Sequence, residues 1–316
     1  MIPGAPEAGA WDSAYHAPVL VDEVTQLFEG SKNILDCTLG GGGHSAALLA
    51  IGANVTAIDR DPQAVAAARE RLAAEEAQGR FHVILGNFVE ADRLLTHARQ
   101  KFDGILADLG VSSHQIDDAS RGFSFREGAP LDMRMDSGTG VTAADLLNSL
   151  EESELVTVLR EYADETRARS LAREIVRRRQ TAPFASSDDL VRAIRGALGA
   201  RSGPSDFARI FQGFRIAVNE ELSSLERALP ILRDHLEPGG VLAVIAYHSG
   251  EDRIVKHMMR EWSRDCVCPP RQLECTCGGQ ALGELVKRKA VKASDEEMSR
   301  NPRARSARLR AWRRAG

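Results

Sequence analysis

Ile34-Leu35-Asp36-Cys37-Thr38-Leu39-Gly40-Gly41-Gly42-Gly43-His44-Ser45 runs from a short β-rich segment, through four consecutive glycines, into a helical stretch that extends to Ala50. Glycine removes the Cβ obstruction and permits positive φ, so bare backbone N–H groups stand where a ligand can approach closely. A second β-rich run, Val55 to Asp59, ends in a carboxylate 17 residues past Gly42, the usual place for an acceptor of ribose hydroxyls. Asp61 followed by Pro62 reads as an N-cap with proline at the first helical position, opening a helix from Pro62 to Glu76.

Working outward, further strands fit Phe81 to Leu85, Ile105 to Asp108 and Val241 to Tyr247. Strand and helix alternate, which predicts a doubly wound parallel sheet, an α/β fold. Between Asp108 and Val241 the alternation stops, and residues from about Thr142 to Leu198 read as helical. Turn-rich stretches bound that region, Asp136 to Gly140 before it and Gly199 to Pro204 after it. The expected organisation is a mobile leader at 1–15, a discontinuous sheet domain at 16–136 and 206–316, and an inserted helical domain at 137–205.

The glycine turn and Asp59 together point to an adenosine-containing cofactor, with a ligand-free tight turn and a nicotinamide site as alternatives. A G-x-G-x-x-G match starting at Gly40 would need Gly or Ala where Ser45 stands. Asp36, just before the loop, would repel a pyrophosphate but suits a cationic amino-acid end such as that of S-adenosylmethionine.

Composition sets the outer limits. With 316 residues, 43% hydrophobic and 27% charged, the chain matches a globular protein with a substantial core and neither a disordered nor a fibrous one. No segment approaches ~18 uninterrupted apolar residues, and Met1 to Ala10 lacks the basic and apolar regions of a secretory signal, so a cytoplasmic protein that does not enter membranes is expected. Five cysteines in such a chain suggest free thiols or metal ligation over a disulfide framework. The net charge of -4 conceals an asymmetry: residues 287–316 carry eleven basic and three acidic side chains, which leaves thirty basic and forty-two acidic ones before them. A basic tail on an acidic body fits a polyanion binder, or a tail that is merely solvated.

At Asp108-Leu109-Gly110-Val111-Ser112-Ser113-His114-Gln115, and again from Arg121-Gly122-Phe123-Ser124-Phe125-Arg126 through Leu131-Asp132-Met133-Arg134-Met135-Asp136, the sequence closely resembles the RsmH (MraW) family. The blocks His16 to Leu20, Asp36 to Ser45, Ile58 to Pro62, Arg215 to Asn219, His248 to Arg253 and Asn301 to Ala307 extend the resemblance over most of the chain. It implies a Rossmann-like class I methyltransferase sheet with an inserted all-helical domain. The implied activity is methyl transfer from S-adenosylmethionine to the N4 amine of a cytosine in 16S ribosomal RNA of the small subunit, near the decoding centre. Carried over position by position, the cofactor contacts are Gly42, Gly43 and His44 in the loop, Asp59 at the ribose, Phe88 near the adenine, then Asp108 and Gln115. Three positions depart from the family pattern: His114 replaces an expected Pro, Gly250 an expected Leu, and Gly41 a frequent Arg.

Amine methylation needs no covalent intermediate, and the chain contains no Pro-Cys dipeptide of the kind that serves carbon-5 methylation of cytosine. His248 and Ser249, at the end of the last clear strand, are candidate acceptors for the amine's hydrogens, or else caps of the following helix. Phe123, Phe125 and Tyr247 are candidate platforms for a splayed base, or core residues. Arg169, Arg173 and Arg177, spaced by four, line one helix face that could grip phosphate or be a solvated face interleaved with Glu165 and Glu174. Cys266, Cys268, Cys275 and Cys277 form a candidate zinc loop, although C-x-C is tighter than usual. A homodimer is compatible with the sequence. Three other functions stay open: an enzyme of the same fold acting on a protein amide or small molecule, a non-catalytic ribosome-assembly factor, and a nicotinamide dehydrogenase.

Overall fold

The computed structural model describes residues 11, 18–95, 100–136, 138–266, 268, 272, 274, 276 and 279–316. They form two compact units: Met1–Gly110 with Ser224–Gly316, and Val111–Ser223. The leader expected at 1–15 lies outside the described residues except for Trp11. No helix among the described residues is long and apolar enough to cross a membrane.

The first unit holds a sheet of seven strands: β1 (Asn33–Asp36), β2 (Asn54–Asp59), β3 (Phe81–Leu85), β4 (Phe102–Asp108), β5 (Leu236–Ala246), β6 (Gly283–Leu285) and β7 (Arg308–Arg314). Their spatial order is β3-β2-β1-β4-β5-β7-β6. The first five run parallel, and β7 runs antiparallel to both β5 and β6. The order reverses direction beside β1, the crevice where open α/β sheets bind ligands outside the carboxyl ends of their strands.

Alternation along the strands sorts side chains onto two buried faces. Ile34, Val55, Ala57, Leu106, Ala243 and Ile245 join one apolar cluster with Val24, Phe28 and Leu48. Leu35, Ile58, Ile105, Leu242 and Val244 join the other with Leu225, Leu229, Met259 and Trp262. Asp61 caps the helix Pro62–Arg71 as its sequence predicts, accepting the Gln63 N–H at 3.0 Å.

The basic C-terminal stretch departs from expectation. It is not a solvated tail, because β7 forms six residue pairs with β5, from Val241 with Arg313 to Ala246 with Arg308. Leu309, Ala311 and Trp312 are buried. The charges between them are accommodated at the strand's flanks: Arg310 forms a paired contact with Asp252 at 2.7 and 3.1 Å, and Arg314 donates to the Leu236 carbonyl at 2.7 Å. Trp312 meets Trp262 edge to face, centroids 5.3 Å apart, and its indole N–H donates to Ser263 at 3.1 Å.

The second unit is helical, and among its described residues no strand occurs. Its span is wider than the turn-rich stretches suggest, since residues on both sides of 137–205 belong to its core. Leu131 and Met133 before that stretch, and Phe207, Ile210, Phe211 and Phe214 after it, pack with Leu147, Leu171, Ile175 and Ile194. Asn219 fixes the entry, accepting the Met135 N–H at 2.8 Å and donating to the Met133 carbonyl at 2.8 Å.

Trp312→Ala is expected to lower the unfolding free energy by about 3–5 kcal/mol, the range for removing a large buried aromatic. Denaturant titration measures it, and a loss under 1 kcal/mol would show that β7 is peripheral to the fold.

Candidate active site

Where β1 ends, the glycines meet two different demands. Gly40 and Gly42 adopt positive φ, 50° and 74°, which side chains rarely accept. Gly43 has an ordinary φ, but a Cβ there would lie 2.8 Å from Pro18 Cγ, so the loop and the incoming chain pack against each other. Pro18 leads into Leu20, whose N–H donates to Glu297 Oε1 at 2.7 Å. Arg71 braces the loop from outside through the Gly41 carbonyl at 3.2 Å. The helix that follows, Gly43–Ala50, has no side-chain cap at its start.

Two carboxylates organise this edge of the sheet. Asp36 is fully buried, accepting the Ser45 hydroxyl at 2.7 Å and the Thr38 N–H at 3.1 Å. Burial raises its pKa, only partly offset by these bonds and by His44. It therefore holds the loop together and offers no surface to a cationic ligand, contrary to its reading in the sequence. Asp59, at the end of β2, accepts the Gly40 N–H at 2.8 Å on one oxygen and the Asp61 N–H at 2.9 Å on the other. Its carboxylate is partly open to solvent yet enclosed by protein on most sides, and that enclosure pushes its pKa up to about 6. Each oxygen keeps a lone pair for a ligand hydroxyl.

Asp108 ends β4 and is bound differently. Its backbone N–H donates to Thr38 Oγ1 at 2.6 Å, while its carboxylate receives the Tyr247 hydroxyl at 2.8 Å. His44 Nε2 lies 3.4 Å from the other oxygen. The imidazole is 5% exposed, and neither ring nitrogen has a hydrogen-bond partner among the described residues. Burying such a group without partners is unfavourable, so its place beside a glycine turn and an acid fits a polar ligand.

After β5, His248 and Glu251 form a reciprocal cap on the helix Ser249–Trp262. The Glu251 N–H points to His248 Nδ1 at 3.5 Å, and Glu251 Oε2 accepts the N–H groups of Tyr247 and His248 at 2.8 and 3.3 Å. His248 Nε2 is 3.1 Å from Glu251 Oε1 but is not aligned for a hydrogen bond. His248 is thus a helix cap whose acceptor nitrogen is engaged, and Ser249 is exposed at the first turn. The x-x-Glu spacing after His248 was the available signal for this cap.

The remaining candidates separate. Phe88 is half-buried in the turn Phe88–Glu90 and packs on the sheet cluster of Leu35 and Ile58. Gln115 belongs to the second unit, where its side chain accepts the Ser112 N–H at 3.0 Å. Phe125, 36% exposed, stands edgewise on Phe207 and Phe211. On the helix Ala168–Arg179, Arg173 faces Glu152 at 3.4 Å and Arg177 binds Glu174 at 2.8 Å, which favours a solvated face of paired charges. Cys266 and Cys268 are half-buried, whereas Cys275 and Cys277 lie outside the described residues.

With the geometry established, the sequence matches the MraW methylase family over residues 13–315. The ribosomal RNA small subunit methyltransferase H of Gemmatimonas aurantiaca is 60% identical over 301 residues, covering 95% of this chain and 96% of that protein. Proteins of the same name from Heliobacterium mobile and Heliobacterium modesticaldum are 44% and 45% identical, each alignment covering 94% of this chain and 97% of the relative.

His248→Ala is expected to destabilise the protein by about 0.5–2 kcal/mol, the usual range for losing an N-cap. An unchanged denaturation midpoint would remove the capping role.

Proposed function

The chain belongs to the MraW methylase family, and from that premise we propose that it transfers a methyl group from S-adenosylmethionine to the N4 amine of a cytosine in 16S ribosomal RNA, near the decoding centre. The observation that carries the reading is the convergence, at one strand edge, of the glycine turn, Asp59 and Asp108 beside a buried imidazole with no hydrogen-bond partner among the described residues. These groups match the cofactor's chemistry: acceptors for ribose hydroxyls at Asp59, a flat apolar face for adenine at Phe88, and an acid for the amino group at Asp108. Gly42, Gly43 and His44 would line the same cradle. Gln115 is the remaining contact that the family resemblance assigns.

When bound, S-adenosylmethionine supplies an electrophilic methyl group on a sulfonium. The protein's task is to hold the cytosine nitrogen in line with it and to draw the amine's hydrogens away from the lone pair. At the β5 exit His248 caps the following helix and Ser249 begins it, and these two side chains are the candidates for that acceptor role. Cys37 is not suited to act as a thiolate: it is buried, and burial together with Asp36 raises its thiol well above the ordinary range.

Ribosomal RNA would be met by the connection between β6 and β7. Lys287, Arg288, Lys289, Lys292, Arg303 and Arg305 are exposed there. Because Arg308 pairs with Ala246, this connection returns at the same sheet edge as Asp108 and Tyr247. Within the helical unit, Phe125 is an exposed aromatic suited to stacking a base.

The test is to methylate small ribosomal subunits with isotopically labelled donor, digest the RNA to nucleosides and locate the label by mass spectrometry. Label on N4 of cytidine is expected, and label on carbon 5 or on a ribose oxygen would overturn the proposal.

Cofactor affinity should also depend on pH. In the ligand-free protein Asp59 takes up a proton below about 6, while ribose hydroxyls favour its carboxylate, so affinity falls as pH drops through that value. The limiting loss is about tenfold per pH unit. Calorimetry from pH 7.5 down to 5 should show this slope, and Asp59→Asn should flatten it. An equal slope in both proteins would assign the titration to another group.

A further inference from the structure

Tyr247 has no task in the reaction as set out above. Its ring is partly buried and packs on the sheet cluster that includes Ala243 and Ile245, and its phenol donates to Asp108 Oδ1 at 2.8 Å. Both backbones that carry this pair are themselves held. The Tyr247 N–H is fixed by Glu251 Oε2 at 2.8 Å, and the Asp108 N–H by Thr38 Oγ1 at 2.6 Å. The second oxygen of Asp108 faces His44 Nε2 at 3.4 Å without an aligned hydrogen bond. The Tyr247 hydroxyl is therefore the directional side-chain bond to this carboxylate among those described.

That bond matters because of what an ammonium ion requires. A cation with three N–H donors binds a carboxylate best along its lone pairs, so a carboxylate free to turn about its last torsion offers them in the right direction only part of the time. A donor fixed on one oxygen removes that freedom before the ligand arrives. We propose that Tyr247 is a positioning residue for the cofactor's amino-acid end: by donating to Oδ1 it sets the plane of the Asp108 carboxylate so that the remaining lone pairs meet the amino group. This rests on the methyltransferase reading, which places an ammonium ion beside Asp108. It also withdraws Tyr247 from the aromatic platforms for a base, since its ring packs on the sheet cluster and its hydroxyl is committed.

The assignment predicts an effect confined to one end of the ligand. Tyr247→Phe keeps the ring and removes only the hydroxyl. By calorimetry the variant should bind S-adenosylhomocysteine about two- to tenfold more weakly, the size of one hydrogen bond. It should bind 5′-methylthioadenosine, which lacks the amino-acid end, as tightly as the parent protein does. Equal losses for both ligands would overturn the proposal, because a damaged fold or adenosine pocket behaves that way. Undiminished binding of both would overturn it too, since Asp108 would then hold its orientation without the phenol. Failure of the unaltered protein to bind either ligand would sink the methyltransferase reading itself, and the proposal with it.

Discussion

At the carboxyl edge of a parallel sheet every strand ends where the chain must turn, and the turning backbone leaves N–H groups that need acceptors. Side-chain carboxylates meet that need here. Asp36 takes the Thr38 N–H, Asp59 takes those of Gly40 and Asp61, and Glu251 takes those of Tyr247 and His248. Asp36 and Glu251 are local to the turns they stabilise, whereas Asp59 ties its own turn to the glycine loop after β1, so the geometry of the edge is set by short loops fastened to a rigid sheet. Asp108 is the exception. No backbone donor is described on its carboxylate, which is met by Tyr247 and His44 side chains instead.

The same economy explains why Asp59 can be both structural and chemical. Two backbone bonds favour its ionised form, yet enclosure outweighs them and lifts its pKa to about 6. For a raised acid the sign is opposite to that of a salt-bridged one: the folded protein holds the proton more tightly than the unfolded chain does, so this group's contribution to stability declines as pH rises through the interval below 6. A ligand that donates hydrogen bonds to the carboxylate reverses that disadvantage. Ligand binding and relief of an enclosed charge are then one event.

Much of this was legible in sequence because parallel strands announce themselves. Ile34, Leu35, Ile105 and Leu242 are apolar on both faces, and Asp59 and Asp108 stand at their exits. β7 was hidden for the converse reason. Arg308, Arg310, Arg313 and Arg314 outnumber its apolar residues, and nothing in the local pattern says that Asp252, fifty-eight residues earlier, receives Arg310. Likewise Asp36 carries ligand-like chemistry in sequence, whereas its hydrogen bonds assign it to the loop, and His248 forms the helix cap that its position offered as one of two roles. The span of the helical unit was underestimated because Met133 and Phe214 lie in flanking segments whose part in its core is a matter of tertiary packing alone.

The insertion of β7 between β5 and β6 bears on how the molecule is made. Until residues 308–314 exist, the edge of β5 that will receive them is a row of unpaired backbone groups flanking Leu242, Val244 and Ala246. Such an edge invites pairing with any extended segment nearby. During vectorial synthesis it stays open while more than sixty intervening residues emerge, so the nascent protein must pass through a stage with an unguarded sheet margin. Arginines along the late strand then serve a second purpose: before docking they keep that strand soluble, and on docking they close the margin to strangers.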